Sequence, residues 1–524
     1  MSDRVELVFG LVGPIGCLIH EARDSLESTL KTMDYTPVII NLSAEMDSLL
    51  KAKGCVFKDE SESPFEEKIL KGNLVRKEFA DDAVLAAEAI KKIYAFRENH
   101  VRETGETDEH TINLEARIPL DNHAFIIDQL KRPEEIDTLV KVFGKRFVQV
   151  SVVTPLDRRK QTLIARLSSD KLNWDISACK AHTDKLIDID QHEREHEHGQ
   201  RISKIFHRGD VFFNGASKET LDESSTRFVN AFFGKNAIAP TRDEFGSYMA
   251  QAAALRSVDL SRQVGAAITT PDGDLISIGC NEVPKFGGGN YWDEDKDKKR
   301  DIDLGNEANK SEIKRIIHDF LDVLEKQKLL VDGKTIDSIL TDDQHLKAIK
   351  SSLVGNVTEY GRMVHAEMNA MSDAARLGRS LKGSTIFVTT YPCHNCAKHL
   401  IAAGIERIVF VEPYPKSKTE SLFQDMLGAD TSGSSKVNIE HFYGISPRRY
   451  RDIFEKGSRQ TSEGDVDDWY EGKKSPRLGN VEVGTERRLA QAILKIRLAP
   501  HSENQSALNQ KKECDLPVKI NPAQ

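Results

Sequence analysis

Two stretches of this chain carry side chains able to hold a metal ion. In the first, His365-Ala366-Glu367 is followed, after 24 intervening residues, by Pro392-Cys393-His394-Asn395-Cys396. One imidazole and two thiolates supply three ligands, which on a tetrahedral zinc leaves the fourth position free for water. Cys393 and Cys396 are three residues apart and fall on one face of a helix. Pro392 is read as opening a helix over 392–403, so that both thiols sit in its first turn, where the positive end of the helix dipole favours thiolate. Glu367, two residues beyond the histidine, is placed to carry protons rather than to bind metal. A closed structural zinc site would need a fourth ligand. His394 is the near candidate, and it should point away from the face that its cysteine neighbours share.

The second stretch is QHEREHEHGQ, where His192, Glu193 and His196 have the H-E-x-x-H spacing in which two histidines bind zinc and a glutamate activates water. Such a helix lies in a cleft and needs apolar residues on its other faces. Here the surroundings, DIDQHEREHEHGQR, are polar all round and include His198. Charged runs of this kind are solvated surface, so no metal is expected at this stretch.

The elements that must position the first set can be traced along the 524 residues, a length that implies more than one core. VELVF (5–9), PVIINL (37–42), HAFIID (123–128), RFVQVSVV (146–153) and DVFFN (210–214) read as strands. They alternate with helical stretches, among them one around 80–96 and one opened by Pro133. That alternation predicts an α/β fold with a parallel sheet covered by helices on both faces over 1–235.

The pattern changes after Gly234. A helix over 242–258 precedes VGAAITTPDGDLISIGC (264–280), a hairpin around the favoured turn pair Asp272-Gly273. A charged helical insertion at about 287–350 includes a helix with Ser311 as its expected cap and Ile313, Ile316, Ile317, Phe320 and Leu324 as its apolar stripe. A helix from Met363 stops near Gly378. TIFVTT (385–390) and RIVFVE (407–412) are strands on either side of the cysteine helix. This gives a second α/β/α domain over 236–455 and a C-terminal extension with a loose tail over 456–524.

Hydrophobic residues make up 39% and charged residues 30%, the balance of a globular protein, and the net charge of −9 argues against a polymeric nucleic-acid ligand, which wants a basic face. No apolar run reaches the roughly eighteen residues of a membrane span, and the N-terminus lacks a signal-peptide pattern. Seven cysteines, of which only Cys393 and Cys396 are close, suggest a reduced, cytoplasmic chain.

The spacing H-x-E…P-C-x-x-C is the established signature of zinc deaminases acting on cytosine or adenine. From Thr241 to about Tyr450 the sequence resembles the cytidine and deoxycytidylate deaminase superfamily, and HAEMNA with YPCHNCAKHLIAAGIERIV is similar to its deoxycytidylate branch. With RSVDLSRQVGAAI, GCNEVPKFGGGNYW, EPYPKSKTESL and ISPRRY, and with FIIDQLKRPEEI and VFFN in the first half, most of the chain resembles bacterial anti-phage dCTP deaminases. In that group a P-loop-kinase-like domain precedes a deaminase domain.

The resemblance implies hydrolysis of dCTP, and also of dCMP, to deoxyuridine nucleotides and ammonia, with one catalytic Zn2+ held by His365, Cys393 and Cys396 and with Glu367 as the proton carrier. It further implies substrate contacts from Asn281, Ser257, Arg262, Tyr391 and Lys416. For Arg262 the choice lies between a phosphate oxygen and a neighbouring carboxylate; for Tyr391, between stacking on the base and packing beside Pro392. A homo-oligomer and a restraining partner, a regulatory nucleotide or a small inhibitory RNA, are expected on the same ground.

A Walker A loop reads G-x-x-x-x-G-K-[ST]. Aligned on Gly13, GPIGCLIH puts Leu18, Ile19 and His20 where the last glycine, the lysine and the hydroxyl belong. Gly10, Gly13 and Gly16 still permit a tight turn or an anion at a helix N-terminus. Asp128, ending a strand, resembles a Walker B carboxylate, and Arg158 and Arg159 resemble remnants of a phosphate-sensing arm. Without the lysine, a kinase activity is not expected, which leaves a nucleotide-sensing or purely structural role. The rival readings of the whole chain are a housekeeping dCMP deaminase, a polynucleotide cytosine deaminase and a sensor with an inert zinc domain.

Overall fold

The computed structural model describes residues 5–169, 174–192, 198–331, 333–352, 354–357, 360–413, 417–429, 435–466 and 475–478, together with Ala490 and Lys512–Glu513. The chain divides into two compact units, Met1–Glu244 with Tyr443–Gln524, and Phe245–Phe442. These boundaries differ from those read from composition. The first unit runs past residue 235, and Tyr443 onward returns to it because Gly444–Ile445 pairs antiparallel with Phe212 and Val211.

The first unit is built on a six-stranded sheet in the spatial order Gly444–Ile445, Val211–Asn214, Phe147–Val153, Leu7–Val12, His123–Asp128, Thr36–Asn41. All neighbours except the Gly444–Ile445 edge are parallel. Leu7–Val12 and Phe147–Val153 are buried at every position, as parallel strands covered on both faces must be. This explains the unbroken apolar run LVFGLV, while in FVQVSVV the buried polar residues are hydrogen-bonded, Gln149 Nε2 donating to the Ile205 carbonyl at 2.7 Å and the Ser151 hydroxyl to the Phe206 carbonyl at 2.8 Å. One face packs Leu7, Phe9 and Leu11 against Ala22, Leu26 and Leu30 of the helix Ile19–Lys31 and against Phe228 and Phe232 of Lys218–Phe232. Pro133 opens the helix Pro133–Phe143 as expected for a first-turn proline.

The second unit carries another six-stranded sheet, ordered Leu427–Gly428, Val437–His441, Arg407–Glu412, Thr385–Thr390, Gly265–Thr269, Leu275–Cys280. The last two strands form the hairpin expected around Asp272-Gly273, with Gly273 at φ 98°. Thr385–Thr390 pairs antiparallel with Gly265–Thr269 and parallel with Arg407–Glu412. Glycine decides how closely helices approach this sheet. A Cβ on Gly279 would lie 2.3 Å from the Ala366 carbonyl oxygen and 2.4 Å from the Ala370 amide nitrogen. The helix Ala366–Arg376 therefore rests directly on the Leu275–Cys280 backbone, and the Ser277 hydroxyl donates to the Ala370 carbonyl at 2.9 Å.

Within the insertion, the main helix runs Ala308–Lys326 with Glu307 as N-cap, so Ser311 lies inside it and not at its cap. Its buried positions are Ile317 and Leu321, which pack on Ile336, while Phe320 faces outward. Ile313 and Leu324 of the expected stripe pack partly buried against the same cluster, and Leu321 takes the place of Phe320. The cysteine expectation is corrected at Cys55, which is disulfide-bonded. Cys17, Cys179, Cys280, Cys393 and Cys396 are free, so the partner of Cys55 lies outside the described residues. Parallel pairing of Cys55–Val56 with Lys512–Glu513 brings a distant piece of chain beside it. No helix among the described residues is long and apolar enough to cross a membrane.

Candidate active site

The second unit brings the first metal-binding set together at the C-terminal ends of two parallel strands. Thr385–Thr390 leads through Tyr391 and Pro392 into Cys393, and the helix is His394–Ala402. Cys393 is thus the N-cap residue, extended at φ −72° and ψ 163°, and not a first-turn residue of a helix opened by Pro392. Cys396 follows in the first turn, so both thiols still face the positive helix end. His365 is the N-cap of Ala366–Arg376. An isolated antiparallel bridge between Glu282 and Val364 pins the residue before it to the end of the hairpin.

His365 Nδ1 lies 3.4 Å from the Sγ atoms of both Cys393 and Cys396. The three ligand atoms all fall within 4.8 Å of one another. Zinc bonds of ~2.3 Å to sulfur and ~2.0 Å to nitrogen, set tetrahedrally, would separate N from S by roughly 3.5 Å. The donor set therefore fits a tetrahedral zinc with one position open. Its protonation fits as well. A hydrogen bond from Cys396, with His365 beside it, holds the Cys393 thiol down to about 3, while sharing that bond and burial push the Cys396 thiol far up. The pair thus keeps one proton between two sulfurs, and a divalent ion would release it on binding. The hydrogen bond to Cys393 raises His365.

Glu367 is buried on the first turn of the same helix, and burial pushes its carboxyl above the usual carboxylate range. It is hydrogen-bonded to Cys396 but is not one of the clustered ligands. A carboxyl with a raised affinity for protons beside an open metal position is suited to relay them.

The remaining candidates are placed differently from one another. Ser257 is buried; its hydroxyl donates to the Asn281 carbonyl at 2.7 Å, and its own carbonyl accepts from Gln263 Nε2 at 2.7 Å. Asn281 Oδ1 accepts from the Val264 amide at 2.7 Å, while Nδ2 donates to the Arg262 carbonyl at 2.8 Å and to Met363 Sδ at 3.2 Å. These side chains brace the 257–264 loop against the hairpin end, and both amide hydrogens of Asn281 are already used. Arg262 Nη1 lies 3.2 Å from Glu412 Oε1, the carboxylate alternative. Tyr391 is buried with its ring edge-on to Phe410 at 4.8 Å and its hydroxyl 3.4 Å from Glu420 Oε1. That is the packing alternative. Lys416 lies outside the described residues.

Sequence reasoning passed over Glu412. It ends Arg407–Glu412 opposite Thr390, whose hydroxyl is 3.2 Å from Glu412 Oε2. Two parallel strands ending level, one in front of YPC and one in a carboxylate, were a usable signal. In the first unit, Gly10 sits within a strand where a Cβ would come 2.6 Å from Leu130 Cδ1, Gly13 packs on Cys17, and Gly16 has φ 82° over the Arg159 carbonyl. Asp128 ends its strand, buried, with Oδ2 3.3 Å from Arg23 Nη1 and 3.3 Å from His20 Nδ1. His192 closes the helix Ile176–His192, and Glu193 to His196 lie outside the described residues.

Residues 240–412 match the family described as "Cytidine and deoxycytidylate deaminase zinc-binding region", which contains all four residues of the site just described. Over 81 residues the chain is 47% identical to the deoxycytidylate deaminase of Enterobacteria phage T2, covering 15% of this chain and 42% of that protein. A probable deoxycytidylate deaminase of Drosophila melanogaster is 25% identical over 177 residues, 34% of this chain and 62% of the relative. The chain thus spans less than two thirds of these relatives. Among solved structures, a dCMP deaminase from the cyanophage S-TIM5 aligns with TM-score 0.21 and 16% identity, over 39% of this chain and 99% of that one.

Proposed function

We propose that this chain is a zinc-dependent hydrolase that deaminates deoxycytidine nucleotides, dCMP and dCTP, to the deoxyuridine nucleotides and ammonia. The observation that carries the reading is the convergence of His365 Nδ1 with the Cys393 and Cys396 sulfurs beside a buried carboxyl, Glu367, that is not a ligand. A structural zinc site has no use for such a carboxyl. The matched zinc-binding region over 240–412 supports the same chemistry.

In this reading His365, Cys393 and Cys396 hold the ion. When bound, zinc supplies the Lewis acidity that lowers the pKa of a coordinated water toward ~7. Glu367 takes the first proton of the attacking water and delivers it to the ring nitrogen N3 as the C4–O bond forms. It then takes the second from the C4 hydroxyl so formed and passes it to the amine, which leaves as ammonia when the C4–N bond breaks. The braced 257–264 loop holds Arg262 at the rim, where its guanidinium can exchange Glu412 for a phosphate oxygen.

The finer reading, that dCTP is a physiological substrate and its depletion an anti-phage defence, rests on the resemblance of the whole chain to that group. The relatives' printed name, deoxycytidylate deaminase, favours a second reading in which dCMP is the main substrate. The test incubates purified protein with dCMP, dCTP, CTP and a cytosine oligonucleotide and follows ammonia. Release from dCMP or dCTP is the expected result. Turnover of the oligonucleotide alone, or silence with all four, overturns the proposal.

A further inference from the structure

Of the three side chains proposed to hold zinc, two are fixed by regular structure. Cys396 lies in the first turn of His394–Ala402, and His365 follows Val364, which is bridged to Glu282. Cys393 stands before its helix as the N-cap, and its side chain makes no capping bond. Where its sulfur lies therefore depends on the setting of the Pro392–Cys393 peptide. That peptide is a rigid plane, and rotation on either side of it would carry Sγ away from His365 Nδ1.

The peptide is held from a segment that supplies no ligand. The Thr419 hydroxyl donates to the Pro392 carbonyl at 3.0 Å, and the Ser417 hydroxyl reaches the same oxygen at 2.9 Å. A carbonyl oxygen has two lone pairs and can accept both. The two hydroxyls also support each other: Ser417 Oγ accepts from the Thr419 amide at 3.2 Å and lies 2.8 Å from Thr419 Oγ1. A local turn accounts for the amide bond between these two residues. It does not account for two hydroxyls aimed at one carbonyl 25 and 27 residues back in the chain. Thr419 is fully buried, which shields its bond from water. Tyr391 is gripped from the same direction, its amide donating to the Glu412 carbonyl at 2.7 Å and its hydroxyl lying 3.4 Å from Glu420 Oε1.

We propose that Ser417 and Thr419 are positioning residues for Cys393: they fix the Pro392–Cys393 peptide so that the sulfur is already in place for the ion, and they thereby set how tightly zinc is kept. This inference rests on the zinc-deaminase reading above and deepens it. Groups that orient a metal ligand without touching the ion change metal affinity by about 10–100-fold. Either hydroxyl alone can hold the carbonyl, so the loss should appear only when both are gone.

The test measures zinc affinity of the full chain by competition with a chromogenic chelator, and the absorption spectrum of the Co2+-substituted protein. Ser417→Ala and Thr419→Val should each weaken zinc binding by about twofold at most. The double variant should lose about 10–100-fold, with its cobalt bands shifted. Returning one hydroxyl, as Ser417→Ala/Thr419→Ser, should restore affinity to within about twofold of the wild type. Ser421→Ala, which removes a hydroxyl of the same segment that bonds the Lys418 carbonyl, should match the wild type. In excess zinc the double variant should still take up one equivalent, as a folded chain does. Unaltered affinity and cobalt bands in the double variant overturn the positioning role. So do single losses that simply add, or a double variant that never reaches one equivalent in excess zinc. In each of these cases a wild type that binds zinc and deaminates leaves the proposed function standing. A wild type that binds no zinc removes that function and this role together.

Discussion

Arg262 and Glu412 form an ion pair at the rim of the second unit's site, Nη1 to Oε1 at 3.2 Å, with both side chains partly exposed. A pair so exposed to solvent is worth ~0–1 kcal/mol, so a substrate phosphate can replace the carboxylate at little cost. Glu412→Gln removes the competitor without changing shape. It should lower KM for dCMP by about two- to fivefold, the equivalent of that energy, and leave kcat nearly unaltered. Arg262→Ala should raise KM by about tenfold or more. Steady-state kinetics on both variants decide the matter. An unchanged KM in Arg262→Ala would assign that side chain to the rim's structure alone.

Glu367 touches no ligand role, so its removal should separate metal binding from turnover. Glu367→Gln keeps the volume and loses the proton relay. Deamination should fall by about 10²–10⁴-fold, the usual worth of a positioned general acid and base. Zinc content by elemental analysis should remain at one equivalent. Residual activity within tenfold of the wild type would remove Glu367 from the proton path.

The three ligands should behave as one unit. Cys393 and Cys396 share a proton through the hydrogen bond that drives their affinities apart, and a bound divalent ion displaces it. Cys393→Ser should therefore lose both the zinc equivalent and all turnover. In the wild type, zinc uptake should release protons in unbuffered solution, and affinity should weaken as pH falls because ligand protonation competes with metal. A Cys393→Ser protein that retains a full equivalent would show that other groups hold the ion.

How much of this was legible in the sequence varies with how local each signal is. The strands His123–Asp128, Thr385–Thr390 and Arg407–Glu412 fall on the residues read from apolar runs; each has a buried apolar centre, although Arg407–Glu412 is half-buried at its ends. His365, Cys393, Cys396 and Glu367 were visible because metal chemistry fixes both residue type and spacing. Asn281 and Ser257 were less legible. Their types suit substrate contact, and the structure adds a part the sequence did not show, bracing the 257–264 loop, a use decided by which backbone groups the hairpin end leaves unpaired. Asp190 could not be linked to the glycine loop at all, since 175 residues of chain separate it from Ile15.

Cys17 offers a test of the first unit that needs no ligand. It sits beneath the glycine loop, 3% exposed, and burial pushes its thiol up from 9.0 to about 12, with Lys131 and Arg159 only partly opposing this. Below pH ~9 the thiol is protonated in the folded and unfolded chains alike and contributes no pH dependence. Between about 9 and 12 the unfolded chain loses this proton while the folded one keeps it, so stability falls as pH rises. The loss attributable to Cys17 should approach ~1.4 kcal/mol per pH unit within that window. Urea unfolding at pH 8.0, roughly 9.5 and roughly 10.5 measures it against Cys17→Ala, which cancels the other alkaline groups. The wild type should lose stability more steeply than the variant, and at pH ~8.5 iodoacetamide should spare Cys17 until denaturant opens the unit. Parallel slopes for the two proteins, or ready alkylation of native Cys17, would mean that the loop opens to solvent far more often than its packing implies.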